Sequence, residues 1–298
     1  MKIGVMGAGA VGSYYGAMLA RAGHDVTLVG RAPFVEQVRS EGLRITSAVL
    51  EANVKVQAST SAAVLSACDV VLCCVKSADT EAAGRLLAPV LRPDCVVLSF
   101  QNGVDNPERL AAVLGRAVVP VAVYVGVEMT APAHVNHLGR GQIIMGEFAG
   151  SAAVAQAFIG AGIPAEISAQ ARVAQWQKFL ANCAYNALSA ITGMPYGALM
   201  KVPGVARVMT DVVTECVAVA HALDVPLPLD MKPILALADT MPAQMSSTAQ
   251  DLVRGKPTEI EHLNGYVVRK GAELGVPTPA NTVLLALVRA REFAPQDP

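Results

Sequence analysis

The chain has 298 residues, of which 53% are hydrophobic and 16% charged, and its net charge is −1. That length and apolar share allow a large core in two domains, and the near-neutral balance, with no basic run or aromatic-rich basic patch, argues against nucleic acid as a partner. Arg116 interrupts the best apolar run, Ala111 to Val127, so no stretch reaches membrane-spanning length; six cysteines without a C-x-x-C pair read as reduced core residues of a cytoplasmic protein.

Lys2 to Met6 predicts a short apolar strand, and the glycines that follow mark a nucleotide turn rather than a leader peptide. The turn is Gly7-Ala8-Gly9-Ala10-Val11-Gly12, the pattern G-x-G-x-x-G. A helix from Ser13 to Arg21 and a second strand from Asp25 to Val29 complete a βαβ unit at dinucleotide-binding spacing. Gly7 allows the tight turn, Gly9 lets the backbone approach a pyrophosphate, and Gly12 lets helix pack on strand. The helix N-terminus then offers N–H groups to the phosphates. An NAD site usually carries Asp or Glu at the end of the second strand; here Gly30 stands there, with Arg31 next. A guanidinium can clamp a 2′-phosphate with two hydrogen bonds, so the expected cofactor is NADP(H).

Further along, a helix is expected over Pro33 to Glu41. A hairpin inserted in the sheet is expected over Leu43 to Val56. Buried strands are expected over Asp69 to Val75, Val96 to Phe100 and Val118 to Val125, with helices over Ala78 to Leu87 and Asn106 to Leu114. A turn-rich segment with Pro132 and Gly139-Arg140-Gly141 joins two more expected strands, near Ala133 to His137 and Gln142 to Phe148. Alternating strands and helices imply a doubly wound sheet, with Lys76, Asn102 and Gly103 at strand carboxyl ends, where ligands bind. Asn102-Gly103 also reads as a plain turn. His134 and His137 lack a third ligand nearby, so no metal site is expected.

From residue 168 the pattern becomes helical, with runs over Arg172 to Ala190, Val205 to Leu223, Pro233 to Leu237, Thr258 to Leu274 and Asn281 to Glu292. The expected class is therefore α/β: a Rossmann-type doubly wound NADP-binding domain, 1–168, followed by an all-helical substrate-binding domain, 169–298. The domain contact is expected to be close and to hold the active cleft. The helix near Trp176 carries Lys178, Asn182 and Asn186 at i, i+4 and i+8, one polar face on an otherwise apolar helix. Ser246-Ser247 could cap a helix or donate to a ligand. Thr258 and Glu261 fit a capping box, and Glu259 would lie in the same first turn, as a helix-end carboxylate or as a catalytic partner.

These three constellations together resemble the ketopantoate reductase (2-dehydropantoate 2-reductase) family over the whole chain. The glycine turn is common to many folds; the Lys178-x-x-x-Asn182-x-x-x-Asn186 helix with Ser246-Ser247 and Thr258-Glu259-Ile260-Glu261 is far more specific. The resemblance implies that Lys178 is the proton donor and also touches substrate. Asn182, Asn186 and Ser247 hold the substrate. Arg31 and Lys76 meet the adenosine phosphate end, and Asn102 lies between nicotinamide and substrate. Val127 lies against the cofactor, and Glu259 contacts the cofactor side. The substrate implied is a small keto acid, most directly ketopantoate reduced to (R)-pantoate in pantothenate and coenzyme A biosynthesis, and a homodimer is left open. One position departs: where some members carry a further substrate-binding Asn after Pro195, this chain has Tyr196. The rival readings are a β-hydroxyacid dehydrogenase acting on another small keto or hydroxy acid, and a non-catalytic NADP(H) sensor.

Overall fold

The computed structural model describes residues 1–293. It divides into two compact units, Met1–Gln175 and the chain from Trp176 onward. The first unit runs β1 (Lys2–Met6), α1 (Ala10–Arg21), β2 (Asp25–Val29), α2 (Ala32–Glu41), β3 (Leu43–Ser47), β4 (Glu51–Val54), β5 (Gln57–Ser59), β6 (Val70–Cys73), α3 (Thr80–Leu87), β7 (Val96–Ser99), α4 (Asn106–Leu114), β8 (Val119–Ala131), β9 (His134–Met145), α5 (Ser151–Gly160) and β10 (Ala165–Ile167). The division falls within α6 (Ala171–Thr192). Then come α7 (Tyr196–Leu199), α8 (Val205–Ala222), α9 (Lys232–Leu235), α10 (Leu237–Thr240), α11 (Ser247–Val253), α12 (Asn264–Leu274) and α13 (Pro279–Phe293). No helix among the described residues is long and apolar enough to cross a membrane.

The strands form one sheet in the order β4-β3-β9-β8-β7-β6-β1-β2-β5, with β10 added beside β9. Every pairing from β5 through β8 is parallel. Val70-Val71-Leu72-Cys73 and the Val97-Leu98-Ser99 end of β7 are buried, the pattern of strands covered on both faces. Alternate residues feed two cores. Val5, Leu28, Leu72 and Leu98 join Tyr15 and Leu19 of α1 and Phe158 of α5. Met6, Val29, Val71 and Val97 join Leu87 of α3 and Leu110 of α4. Helices thus cover both faces, which is the doubly wound arrangement. The strand order reverses between β1 and β6, and that switch point is where open α/β sheets bind ligands. Because these strands are parallel, the glycine turn after β1, Gly30-Arg31 after β2, Lys76 after β6 and Asn102 after β7 all fall at one edge.

Several expectations are corrected. The hairpin of β3 and β4 lies at the outer edge of the sheet, β3 running parallel to β9, while β5 returns to β2. The segments on either side of Gly139-Arg140-Gly141 are a single strand, β9, paired with β8 from Val121 to Ala131. Positive φ values at Gly139 (149°), Arg140 (62°) and Gly141 (139°) absorb register shifts there, and the reversal occurs at Pro132-Ala133, where Ala133 has φ 51°. Helix α5 and strand β10 were not anticipated. The segment 233–237 is divided between α9 and α10. The run from Thr258 is a 3-10 turn, Ile260–His262, followed by α12, because Leu263 (φ −112°, ψ −107°) leaves helical geometry.

In the second unit Met209, Val212, Val213 and Cys216 of α8 are fully buried, with Val267 of α12 and Val288 of α13. Glu215 accepts from the N–H groups of Ala280 (2.7 Å) and Asn281 (2.9 Å), holding the start of α13 to α8. Asn281 accepts in turn from Asn264 Nδ2 at 2.9 Å, which ties in α12. All six cysteines are free thiols and five are buried. Burial pushes the Cys73 thiol up to about 12, so it stays protonated as a core residue.

Candidate active site

At the glycine turn each position has a distinct steric reason. A Cβ on Gly7, which has φ +104°, would lie 2.7 Å from the Val75 nitrogen. On Gly12 it would lie 2.2 Å from the Gly7 carbonyl oxygen, which no rearrangement of side chains relieves. On Gly9 it would meet nothing within 4 Å. Open space therefore stands over Gly9, the N-cap of α1, and no side chain caps that helix. Gly7 and Ala8 direct their N–H groups to the Val29 carbonyl, locking the turn to β2. The first-turn amides of α1 at Ala10, Val11 and Gly12 begin the helix beneath that space, a geometry suited to a pyrophosphate. The donor set fits a dinucleotide.

The end of β2 is equally tight. A Cβ on Gly30 would come within 2.8 Å of the Ala8 Cβ and 2.9 Å of Phe34 Cδ1, so a carboxylate cannot be placed there without moving both. Arg31, the N-cap of α2, is exposed beside it. Lys76 is also exposed, at the end of β6, and starts the 3-10 turn Ser77–Asp79. Asn102 is half-buried and is followed by Gly103 at φ +88°. Val127 lies on β8 opposite His137, whose ring stacks on Tyr14 at 4.5 Å and shares a 2.7 Å contact with the Arg140 carbonyl. His134 meets Thr46 Oγ1 at 3.1 Å. Both histidines thus have structural partners.

A buried polar network behind this edge was not legible in the sequence. Gln101 accepts from Ser99 Oγ (3.0 Å) and donates to the Val75 carbonyl (3.1 Å) and Thr80 Oγ1 (2.8 Å). Thr80 donates to Asn106 Oδ1 at 2.9 Å, and Asn106 Nδ2 donates to Ser77 Oγ at 3.0 Å. Arg109 grips both oxygens of Glu81 at 2.7 Å and donates to the Ser77 carbonyl at 2.9 Å. The sequence signals were Gln101 in Gln101-Asn102-Gly103 at the strand end and Asn106 at a helix start.

In the second unit, Lys178 and Asn182 are half-buried on α6, and Asn186, one further turn along, is 2% exposed. Burying an amide is costly unless it is bonded. Asn186 Nδ2 donates to Ser247 Oγ at 3.3 Å, and the main-chain carbonyl of Asn186 accepts from Ser246 Oγ at 3.2 Å. Of the two serines, the capping role belongs to Ser246. Ser246 is buried and caps α11 through the Ala249 N–H, 3.0 Å away, while Ser247 is exposed. Ser189, missed earlier, accepts from the Ser246 N–H at 3.3 Å.

The expected capping box does not form. Thr258 Oγ1 accepts from Ile260 N, two residues on, and Glu261 pairs with Arg269 (3.3 Å) and Arg289 (2.5 Å). Two guanidiniums outcompete a reach back to the helix start. Glu259 is the N-cap residue of the 3-10 turn, makes no side-chain cap and is half-buried. Tyr196 is 8% exposed and packs on Tyr185, ring centroids 4.2 Å apart. Burial, with Tyr185 adding to it, holds the Tyr196 hydroxyl well above the ordinary tyrosine range, so it stays neutral.

Comparison with known proteins agrees with this arrangement. Residues 3–150 match the family model for ketopantoate reductase PanE/ApbA, and residues 170–292 match its C-terminal counterpart. The 2-dehydropantoate 2-reductase of Archaeoglobus fulgidus is 33% identical, covering 98% of both chains. The crystal structure of a PanE/ApbA family ketopantoate reductase from Ralstonia eutropha is similar with a TM-score of 0.94 and 50% identity over 98% of each chain. A D-mandelate dehydrogenase solved with NADH and anilino(oxo)acetate is similar with a TM-score of 0.90 and 25% identity, again over 98% of each chain. With both halves matched and the glycine turn and α6 face in place, the chain belongs to the ketopantoate reductase family of oxidoreductases.

Proposed function

We propose that this protein reduces a 2-keto acid with NADPH, with ketopantoate as the leading substrate and (R)-pantoate as product, in the cytoplasmic route to pantothenate and coenzyme A. The observation that carries this reading is the α6 face, where Lys178, Asn182 and Asn186 follow one another at four-residue spacing and the buried amide of Asn186 holds the Ser247 hydroxyl.

When bound, the dinucleotide supplies hydride from C4 of its nicotinamide to the ketone carbon. Negative charge then builds on the carbonyl oxygen. The Lys178 ammonium stabilises that charge and gives up a proton to it. Ser247 Oγ already accepts from Asn186, so its own proton is directed to the substrate carboxylate, beside donors from Asn182 and Asn186. The glycine turn takes the pyrophosphate and Arg31 and Lys76 the 2′-phosphate end. Asn102 and Val127 border the nicotinamide, and Glu259 serves the cofactor side. NADPH over NADH is supported by the packing of Gly30 against Ala8 and Phe34, which leaves no room for the acid an NAD site uses.

Tyr196 favours a second reading. Its ring, packed on Tyr185, puts an apolar group where some members place a substrate-binding Asn, which suits a keto acid without a distal hydroxyl. The similar D-mandelate dehydrogenase was solved with an aryl ligand, anilino(oxo)acetate. The test is oxidation of NADPH and of NADH against a panel of 2-keto acids, 3-keto acids and semialdehydes. Ketopantoate is expected to give the highest kcat/KM, and an aryl 2-keto acid ahead of it would select the second reading. Turnover confined to 3-keto acids or semialdehydes, or no turnover at all, would overturn both.

A further inference from the structure

The polar network behind the cofactor edge has one hub. Asn106 is 1% exposed and makes four hydrogen bonds, the full capacity of an amide side chain. Its Oδ1 accepts from Thr80 Oγ1 (2.9 Å) and Arg109 Nη1 (3.2 Å). Its Nδ2 donates to Ser77 Oγ (3.0 Å) and to the Asn102 carbonyl oxygen (2.5 Å). The orientation admits no flip, because an arginine can only donate and a carbonyl can only accept. Ser77 Oγ donates to the same Asn102 carbonyl at 3.1 Å. Two donors therefore converge on one main-chain oxygen at the end of β7. One comes from the first helical residue of α4, and the other from the residue after Lys76.

We infer that Asn106 is a positioning residue for the reaction: by holding the Asn102 carbonyl, it sets the main chain of Asn102 against the end of β6, and so fixes Asn102 relative to Lys76. The inference rests on the reading above in one respect, that Asn102 borders the nicotinamide. A loop with Gly103 at φ +88° has freedom that two converging hydrogen bonds remove. Hydride transfer is sensitive to displacements of the order of an ångström, which is where a loosened Asn102 would be felt.

The test is a double-mutant cycle read in kcat. Asn102→Ala and Asn106→Ala are each expected to lower kcat by about tenfold to a hundredfold. The double variant is expected to be no slower than Asn102→Ala alone, because a group acting through Asn102 has nothing left to position. KM for NADPH is expected to stay within about twofold of wild type in Asn106→Ala, since its bonds reach no phosphate group. Ser99→Ala removes an equally buried hydroxyl from the same network without touching the Asn102 carbonyl. It should lower Tm and leave kcat alone. If Asn106→Ala does not fold, Ser77→Ala removes the other donor to that carbonyl and is expected to show the same pattern. Normal kcat in the folded variant, or a double variant slowed by the product of the two single effects, overturns the inference while leaving the reductase reading intact. Normal kcat in Asn102→Ala overturns Asn102's assignment and the inference with it.

Discussion

The cofactor edge of the first unit and the α6 face of the second are built from different materials. At the proposed cofactor edge the chemistry falls to main chain: Gly7 and Gly12, where a Cβ would collide with backbone, Gly9 with open space above it, amides at a helix start, and a carbonyl held by two donors. On α6 the proposed chemistry falls to side chains, Lys178, Asn182 and Asn186, on an ordinary helix that would form with many other residues in those places. Backbone recognition suits a ligand shared by many enzymes, whereas side-chain recognition is free to change with the substrate. In the second reading above, Tyr196, beside Tyr185 of α6, is such a change.

The largest effect should come from the side-chain half. Lys178→Ala is expected to lower kcat by about 10²–10⁴, the usual contribution of a positioned acid, with the dissociation constant for NADPH unchanged by fluorescence titration. In wild type, reduction should decline at high pH as the donor loses its proton, and that limb should vanish in the variant. Near-normal kcat would make the polar face structural and erase the contrast.

Next come the glycines, which separate fit from binding. Gly12→Ala places a Cβ against the Gly7 carbonyl and should cost about 1–3 kcal/mol of stability as well as NADPH affinity. Gly9→Ala meets only open space in the protein, so Tm should barely change while NADPH affinity falls. A Gly9→Ala protein that binds NADPH normally would remove the pyrophosphate from that space. Arg31→Ala sharpens the comparison, being a side-chain contact on the main-chain side. It should weaken NADPH by about tenfold to a hundredfold and spare NADH; equal losses would take Arg31 out of the 2′-phosphate site.

The smallest effect concerns the entry to the sheet. Asp69 accepts from the Lys2 N–H at 2.8 Å and from Arg92 at 3.1 Å, and those bonds hold its carboxyl below the usual aspartate range. The stability it lends is present above the ordinary aspartate pKa and is lost as pH falls through the lowered value. Its side chain is 45% exposed, so solvent screening limits the contribution to about 0.5 kcal/mol. Asp69→Asn should lower Tm slightly at neutral pH and make no difference in strong acid.

What could be read from the sequence follows the same divide. The glycine turn, the parallel strands and the i, i+4, i+8 face are local patterns, so Gly7, Gly9, Gly12 and Asn186 emerge in the environments their types imply. Gly139-Arg140-Gly141 looked like a turn because glycine spacing does not reveal that β8 pairs straight past it. Glu261 looked like a cap because Arg289, its partner, is 28 residues away. Asn106 was invisible as a hub because two of its partners, Ser77 and Thr80, lie 29 and 26 residues away, and no periodicity marks a set of that kind.

The outer hairpin has a consequence for how the chain reaches its structure. Arg44 to Ser47 of β3 pair in parallel with His134 to His137 of β9, so a strand made early must wait for one made much later. Until then its inner edge presents unpaired N–H and C=O groups, a template for the wrong neighbour. Loop-closure entropy must be met before that pairing is rewarded, which places it late on the folding route. Pulse-labelled hydrogen exchange during refolding should find amides of β1, β2 and β6 protected first, and those of β3 only together with β9. Protection of β3 ahead of β9 would show that the hairpin closes by itself.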